Sequence, residues 1–204
     1  MTKTTFLLVR HGQTDWNVAG RSQGWSDIPL NAEGLAQATR TAQMLHQQHP
    51  QIKAIYSSNL SRAFNTAGAT AGLFNLEVTQ REDLREINNG SGEGMLIADK
   101  IALYKAKWDE LRALYPDRRE RWNHVAIEGE ETLNALASRV TAELKKIASD
   151  HKGQTVAIFS HSKAIRTLIA DILDQDIMEI PPLGNADVRI VHLADGVFSL
   201  DGAL

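Results

Sequence analysis

Three short apolar runs, Thr5 to Val9, Ile52 to Tyr56 and Thr155 to Phe159, each pass through a polar turn into a longer stretch of helical periodicity. A run that is apolar at successive positions, not alternate ones, is the pattern of a strand buried on both faces. The stretches between the runs supply the covers. Asn31 is placed to cap a helix reaching about His49, with Leu35, Ala38, Ala42 and Leu45 on one face. Leu133, Leu136, Val140, Leu144 and Ile147 mark a second stripe, and Ile165, Leu168, Ile169 and Ile172 a third that follows His161 towards Leu173. Strands and helices alternating at this spacing predict βαβ units, and so an α/β fold: a three-layer α/β/α sandwich around a mainly parallel sheet.

The end of the chain breaks that rhythm. Val188 to Leu193 and Val197 to Leu200 flank Ala194-Asp195-Gly196, which predicts a hairpin and an antiparallel edge. Between Asn88 and Glu131 the pattern is least regular, and we expect a helical excursion over the sheet at about residues 95–130. Tyr104, Trp108, Leu111 and Tyr115, spaced by four, three and four, predict a helix that packs an aromatic stripe. The charged stretch from Asp117 to Arg121 reads as solvated, with Arg118 and Arg119 the pair available to a second anion. With no repeat and no long linker, residues 1–204 are expected to form one domain.

A formal net charge of -3 argues against nucleic acid or an anionic membrane as a partner held by bulk charge. Any anion site must therefore be local. The absence of cysteine removes disulfides, thiolate catalysis and sulfur-ligated zinc. No segment is apolar for the length of a membrane span, and Met1 to Thr5 lacks the charge pattern that opens a secretory leader, so the expected location is the cytoplasm.

In an open parallel sheet, ligands bind beyond the carboxyl ends of the strands. Here those ends carry Arg10-His11-Gly12, the segment Ser57 to Ala63 with Arg62, and Ser160-His161-Ser162. A guanidinium offers a planar fork of donors matched to phosphate oxygens, and a neutral imidazole nitrogen can attack phosphorus. Two Arg and two His residues gathered at one sheet edge therefore suit phosphate chemistry.

The segments Leu8 to Asn17, Ser57 to Ala67, Leu84 to Gly94 and Ser160 to Arg166, in this order, resemble the motifs of the histidine phosphatase superfamily, the phosphoglycerate mutase-like proteins. An RHGxTxWN motif appears as Arg10, His11, Gly12, Thr14, Trp16 and Asn17, with Gln23-Gly24-Trp25 after it. Glu128 to Glu131 resembles the family's glycine and acidic segment before a long helix. The resemblance implies a phosphate pocket of Arg10, Arg62 and a protonated His161, with His11 as the nucleophile that becomes phosphohistidine. It implies backbone donors from the helix carrying Arg62, and Glu86 as the acid and base that serves the leaving group and then water. His11 must be neutral to attack, its other nitrogen donating to a backbone carbonyl. Asn17, Gln23, Gly24 and Ser162 are expected to join Arg10, Arg62, Glu86 and His161 in contacting substrate. No metal site is expected: His46, His49, His151 and His192 lack partner motifs, and His124, near Glu128, lacks metal-ligand spacing.

Two places depart from the family's pattern. Ser162-Lys163 stands where glycine commonly follows the second histidine, and Asn88 to Gly92 replaces bulky pocket residues, which predicts a smaller, more polar wall. The expected activity is metal-independent hydrolysis of small phosphorylated metabolites with no cofactor. Two alternatives stay open: a phosphoglycerate mutase, which would use 2,3-bisphosphoglycerate, and a catalytically weak protein that binds phospho-ligands. A homodimer is the one assembly left open.

Overall fold

The computed structural model describes residues 2–202. Among them six strands form one sheet: β1 (Lys3–Arg10), β2 (Ile52–Ser58), β3 (Val78–Arg81), β4 (Thr155–Ser160), β5 (Val188–Ala194) and β6 (Val197–Leu200), in the order β3-β2-β4-β1-β5-β6. The pairs β3-β2, β2-β4 and β4-β1 are parallel, whereas β1-β5 and β5-β6 are antiparallel. The helices are α1 (Asp15–Val18), α2 (Ala32–Gln48), α3 (Ser61–Phe74), α4 (Ile97–Leu114), α5 (Arg118–Arg121), α6 (Leu133–Asp150) and α7 (Ser162–Leu173).

Alternation along the central strands divides the core into two. Phe6, Leu8, Val156 and Ile158 face α6 and α7, meeting Leu136, Leu144, Leu168 and Ile169. Leu7, Val9, Ala157 and Phe159 face the other way, meeting Leu45 of α2 with Ala67 and Ala71 of α3. The expected three-layer sandwich is thus present, and successive apolar residues in β1 and β4 are explained by burial on both faces. The predicted hairpin closes at Asp195 and Gly196, both with positive φ, as a two-residue turn of this hand demands.

Three details differ from the sequence expectation. In α2 the buried residues are Gly34, Ala38, Thr41, Ala42 and Leu45, and Leu35 is 54% exposed. A Cβ on Gly34 would lie 2.1 Å from the Gln13 carbonyl oxygen. The helix is drawn in along its glycine, and Leu35, one residue further round, is turned out. Strand β3 has no sequence signal, being a half-exposed edge of four residues. The aromatic stripe of α4 is not packed away: Tyr104, Trp108, Leu111 and Tyr115 are all half-buried, and Lys100 is the buried residue of this helix.

Candidate active site

Parallel register brings the two histidines together. Arg10 of β1 pairs with Ser160 of β4, so His11 and His161, each one residue beyond, emerge side by side with ring centroids 5.2 Å apart. The His11 backbone N–H donates to Ser160 O at 3.0 Å, which fixes the step where the two strands end. Arg62 enters from the first turn of α3, which follows β2. Glu86 comes from the loop beyond β3 and a 3-10 turn at Glu82–Leu84.

His11 Nδ1 lies 2.7 Å from Gly12 O. A carbonyl only accepts, so Nδ1 carries the hydrogen and Nε2 keeps its lone pair. Burial, with Arg62 and Arg10 beside it, pushes the imidazole well below the ordinary histidine range, which holds His11 neutral. Its backbone oxygen accepts from Ala186 N at 3.2 Å and from Asn185 Nδ2 at 3.1 Å.

Arg10 donates through Nη1 to Leu183 O, and Arg62 through Nη1 and Nη2 to Ser26 O at 2.9 Å and Gly24 O at 2.7 Å. Burial lowers both guanidiniums, Arg62 to about 10, against the opposing pull of Glu86 on each. Both remain charged at neutral pH. Arg10 Nε, Arg62 Nε, Gln23 Nε2 and both ring nitrogens of His161 are buried with no hydrogen-bond partner among the described residues. Native interiors seldom leave such groups unpaired. His161 is fully buried, and burial, Arg62, His11, Arg139 and Arg10 push its imidazole well below the ordinary range. With no anion beside it the surroundings of His161 favour the neutral ring; the protonated His161 expected from the resemblance belongs to the phosphate-bound pocket, where an added negative charge reverses that balance.

Glu86 is buried and has three backbone donors. Its Oε1 accepts from Ile87 N and Ala164 N, and its Oε2 from Lys163 N, each at 2.9 Å. His161 is the N-cap residue of α7 but makes no side-chain cap bond, so Glu86 satisfies the helix end in its place. The Glu86 carbonyl is held by Trp25 Nε1 at 2.8 Å and by Arg139 Nη2 at 2.9 Å, and Arg139 is itself paired with Glu131. Sequence reasoning missed Asn185, Trp25, Arg139 and Glu131 as supports. Their contacts are long-range and leave no periodic signal, though Trp25 and Glu131 sit inside quoted motifs.

The helix carrying Arg62 does not supply the expected anion donors. Ser61 N and Ser61 Oγ both bond Asp27 Oδ1, at 2.8 and 2.7 Å, so a carboxylate already occupies that end. Arg62 reaches the site through its side chain alone.

A cavity of about 370 Å³ is lined by Arg10, His11 and Glu86 together with Asn17, Gln23 and Ser162, whereas Arg62 and His161 are fully buried and are not among its lining residues. Asn17 forms a capping box with Thr14, and its Oδ1 also accepts from Asn185. Gln23 Oε1 accepts from Thr14 Oγ1 at 3.0 Å, leaving the amide nitrogen free. Gly24 does not line the cavity and acts at its border: a Cβ there would lie 2.5 Å from Ile87 O, so only glycine lets the loop that accepts from Arg62 close on the Glu86 loop. The wall is mixed, not mainly polar as expected: Asn89 Oδ1 accepts from Lys100 Nζ at 2.9 Å, but Ile87, Ile97, Ile101 and Trp108 line it as well. It is not small, because α4 adds Lys100, Ile101 and Trp108. Arg118 and Arg119 lie elsewhere: Arg118 stacks on Trp122 and both bond Asp174, so Arg118 is buried, not solvated as expected. His124 stacks on Tyr115 with centroids 3.8 Å apart.

The chain is 32% identical over 195 residues to phosphoserine phosphatase 1 of Hydrogenobacter thermophilus, covering 93% of this chain and 86% of that protein. It is 34% identical over 204 residues to a metal-independent phosphoserine phosphatase of Arabidopsis thaliana, covering 97% and 80%. A solved structure of an Entamoeba histolytica phosphoserine phosphatase mutant in complex with phosphoserine superposes with a TM-score of 0.81 at 25% identity, covering 98% and 95%. Proteins named as phosphoglycerate mutases match as well. The model of the histidine phosphatase superfamily, branch 1, matches residues 6–203, and the chain belongs to that family.

Proposed function

We propose that this chain is a metal-independent phosphomonoester hydrolase working through phospho-His11. The observation that carries the reading is the set of buried nitrogens on Arg10, Arg62, Gln23 and His161 that have no hydrogen-bond partner among the described residues, gathered around a neutral His11. A phosphoryl group has three accepting oxygens, and two guanidiniums match its charge.

The reaction balances with side chains alone. The Nε2 lone pair of His11 forms a bond to phosphorus as the ester P–O bond breaks, and the leaving alkoxide takes a proton from the Glu86 carboxyl. Glu86, now a carboxylate, accepts a proton from water as that water attacks phosphorus. The P–N bond breaks, its electron pair returns to Nε2, and phosphate departs. Phosphate arriving beside His161 supplies the negative charge that favours the protonated ring, so the clamp strengthens when its ligand is present. Asn17 and Ser162 contact the ester side of the pocket, and Gln23 Nε2 adds a neutral donor. Arg118 and Arg119, committed to Asp174, give no second anion site for a mutase cycle.

The test is release of inorganic phosphate from a panel of phosphomonoesters in the presence of chelator. Release that is lost in His11→Ala supports the reading. Release that requires added metal, or that persists in His11→Ala, contradicts it.

A further inference from the structure

Beneath α4 lies a second cavity of about 530 Å³, larger than the phosphate pocket and adjacent to it: Ile87, Ile101, Trp108 and Lys163 line both. Its size lies in the range of ligand sites. Leu111, Trp122, Ile177 and Met178 extend the apolar wall away from the histidines. The charged residues around it are paired with one another. Lys105 and Arg112 bond Asp109, Arg121 bonds Asp176, and Lys163 Nζ stands 3.5 Å from Glu130 Oε1. Asp109 is shared by two cations, so one positive charge is in excess, and it is carried by Lys105 and Arg112, whose side chains are 68% and 47% exposed.

α4 also fails to bury its own apolar residues. Ile97 and Ile101 are each 49% exposed and Trp108 is half-buried, on a helix whose buried residue is a lysine. An apolar surface left open beside a polar reaction centre is the arrangement of a binding pocket, not of a finished core.

We propose that this cavity receives the alcohol portion of the substrate, and that the substrate is therefore a phosphomonoester whose alcohol carries an apolar body, aliphatic or aromatic, reaching past Ile101 and Trp108. The inference rests on the phosphate reading of the Arg10, Arg62 and His161 cluster, which fixes the head of the ester and aims its tail under α4. Ile101, Trp108 and Leu111 are then specificity-determining residues.

The test uses two homologous series, n-alkylphosphonates and n-alkyl phosphates from ethyl to octyl, below their micellar concentrations, with the full chain. Phosphonate dissociation constants are read by calorimetry, and kcat/KM by phosphate release. Each methylene that enters the cavity is expected to improve affinity and kcat/KM by up to about fourfold, the equivalent of its transfer from water. Leu111→Asp and, independently, Met178→Asp are expected to flatten the series, read as the octyl-to-ethyl ratio. Met178 is 69% exposed, so that change does not depend on the core. A flat wild-type series, or one equally steep in both variants, overturns the inference. A steep phosphonate series without hydrolysis of any ester supports the cavity and sinks the hydrolase reading; hydrolysis with a flat series does the reverse.

Discussion

The carboxylate of Glu86 takes the place of a cap on the helix that Lys163 helps to begin, its Oε2 lying 2.9 Å from Lys163 N and its Oε1 2.9 Å from Ala164 N. One side chain thereby does two things: it satisfies the donors of α7 and stands beside the histidines that α7 and β1 deliver. Glu86→Gln retains one acceptor oxygen and turns an amide NH2 towards backbone N–H groups. It is expected to cost about 1–2 kcal/mol of stability, as for loss of a helix cap. It is expected to slow alkyl phosphates by roughly 100-fold or more, and nitrophenyl phosphate much less, since a good leaving group needs little protonation. Steady-state rates on both esters, beside denaturant melts, check this; equal losses would remove Glu86 as proton donor.

Arg62 is a structural tie as well as a clamp. Its bonds to Gly24 O and Ser26 O hold the loop that carries Trp25 to Glu86 O. Arg62→Met is expected to destabilise the protein by about 3 kcal/mol, because two buried carbonyls lose charged donors, and to lower kcat/KM by roughly 100- to 1000-fold. Arg62→Lys keeps the charge without the fork, and is expected to recover little of either loss. Melts and kinetics on the same preparations separate the two effects.

A single methyl at Gly24 is expected to reach the site without touching it. Its Cβ would lie 2.5 Å from Ile87 O and 2.6 Å from Glu93 Oε2, so the Glu86 loop must shift. Gly24→Ala is expected to cost about 1–3 kcal/mol, as overpacking does, and to reduce kcat more than it raises KM. A rise in KM with kcat unchanged would show that the loop does not position Glu86.

Stability should fall in mild acid. His11 and His161 are both held neutral in the fold, their protonation pushed well below the ordinary value by burial and by Arg62. Unfolded, both take up protons as pH drops through about 6.5. The unfolded chain then binds more protons, and stability decreases by about 1.4 kcal/mol per pH unit for each histidine until the folded rings themselves titrate. Urea melts between neutral pH and mild acid are expected to show this slope, and the double variant His11→Asn/His161→Asn to lose most of it. An unchanged slope in the double variant would place the effect elsewhere.

The sheet and the reacting cluster were legible because both depend on short-range patterns. Buried strands announce themselves as apolar runs, and Arg10, His11, Arg62 and His161 sit at their ends or on the next helical turn, where chain topology alone directs them to one edge. Glu86 was legible through its motif, but its capping of α7 was not, since the contact spans from residue 86 to residues 163 and 164. The α4 region misled in a physical way. Spacing that suits a packed aromatic stripe is the same spacing that suits a cavity wall, and only tertiary placement distinguishes them. Leu35 and Arg118 exchanged their expected environments for similar reasons: a close glycine contact turns one out, and Trp122 with Asp174 draws the other in.

The covalent step is the centre of the mechanism. Rapid mixing of the protein with a phosphomonoester, alkaline quench and peptide mass spectrometry are expected to find a phosphoryl group on the peptide bearing His11, stable to base and lost in acid. It should form faster than steady-state turnover and be absent in His11→Ala. Turnover without any phosphorylated peptide, or with the phosphoryl group on His161 or another residue, would contradict phospho-His11 as the intermediate.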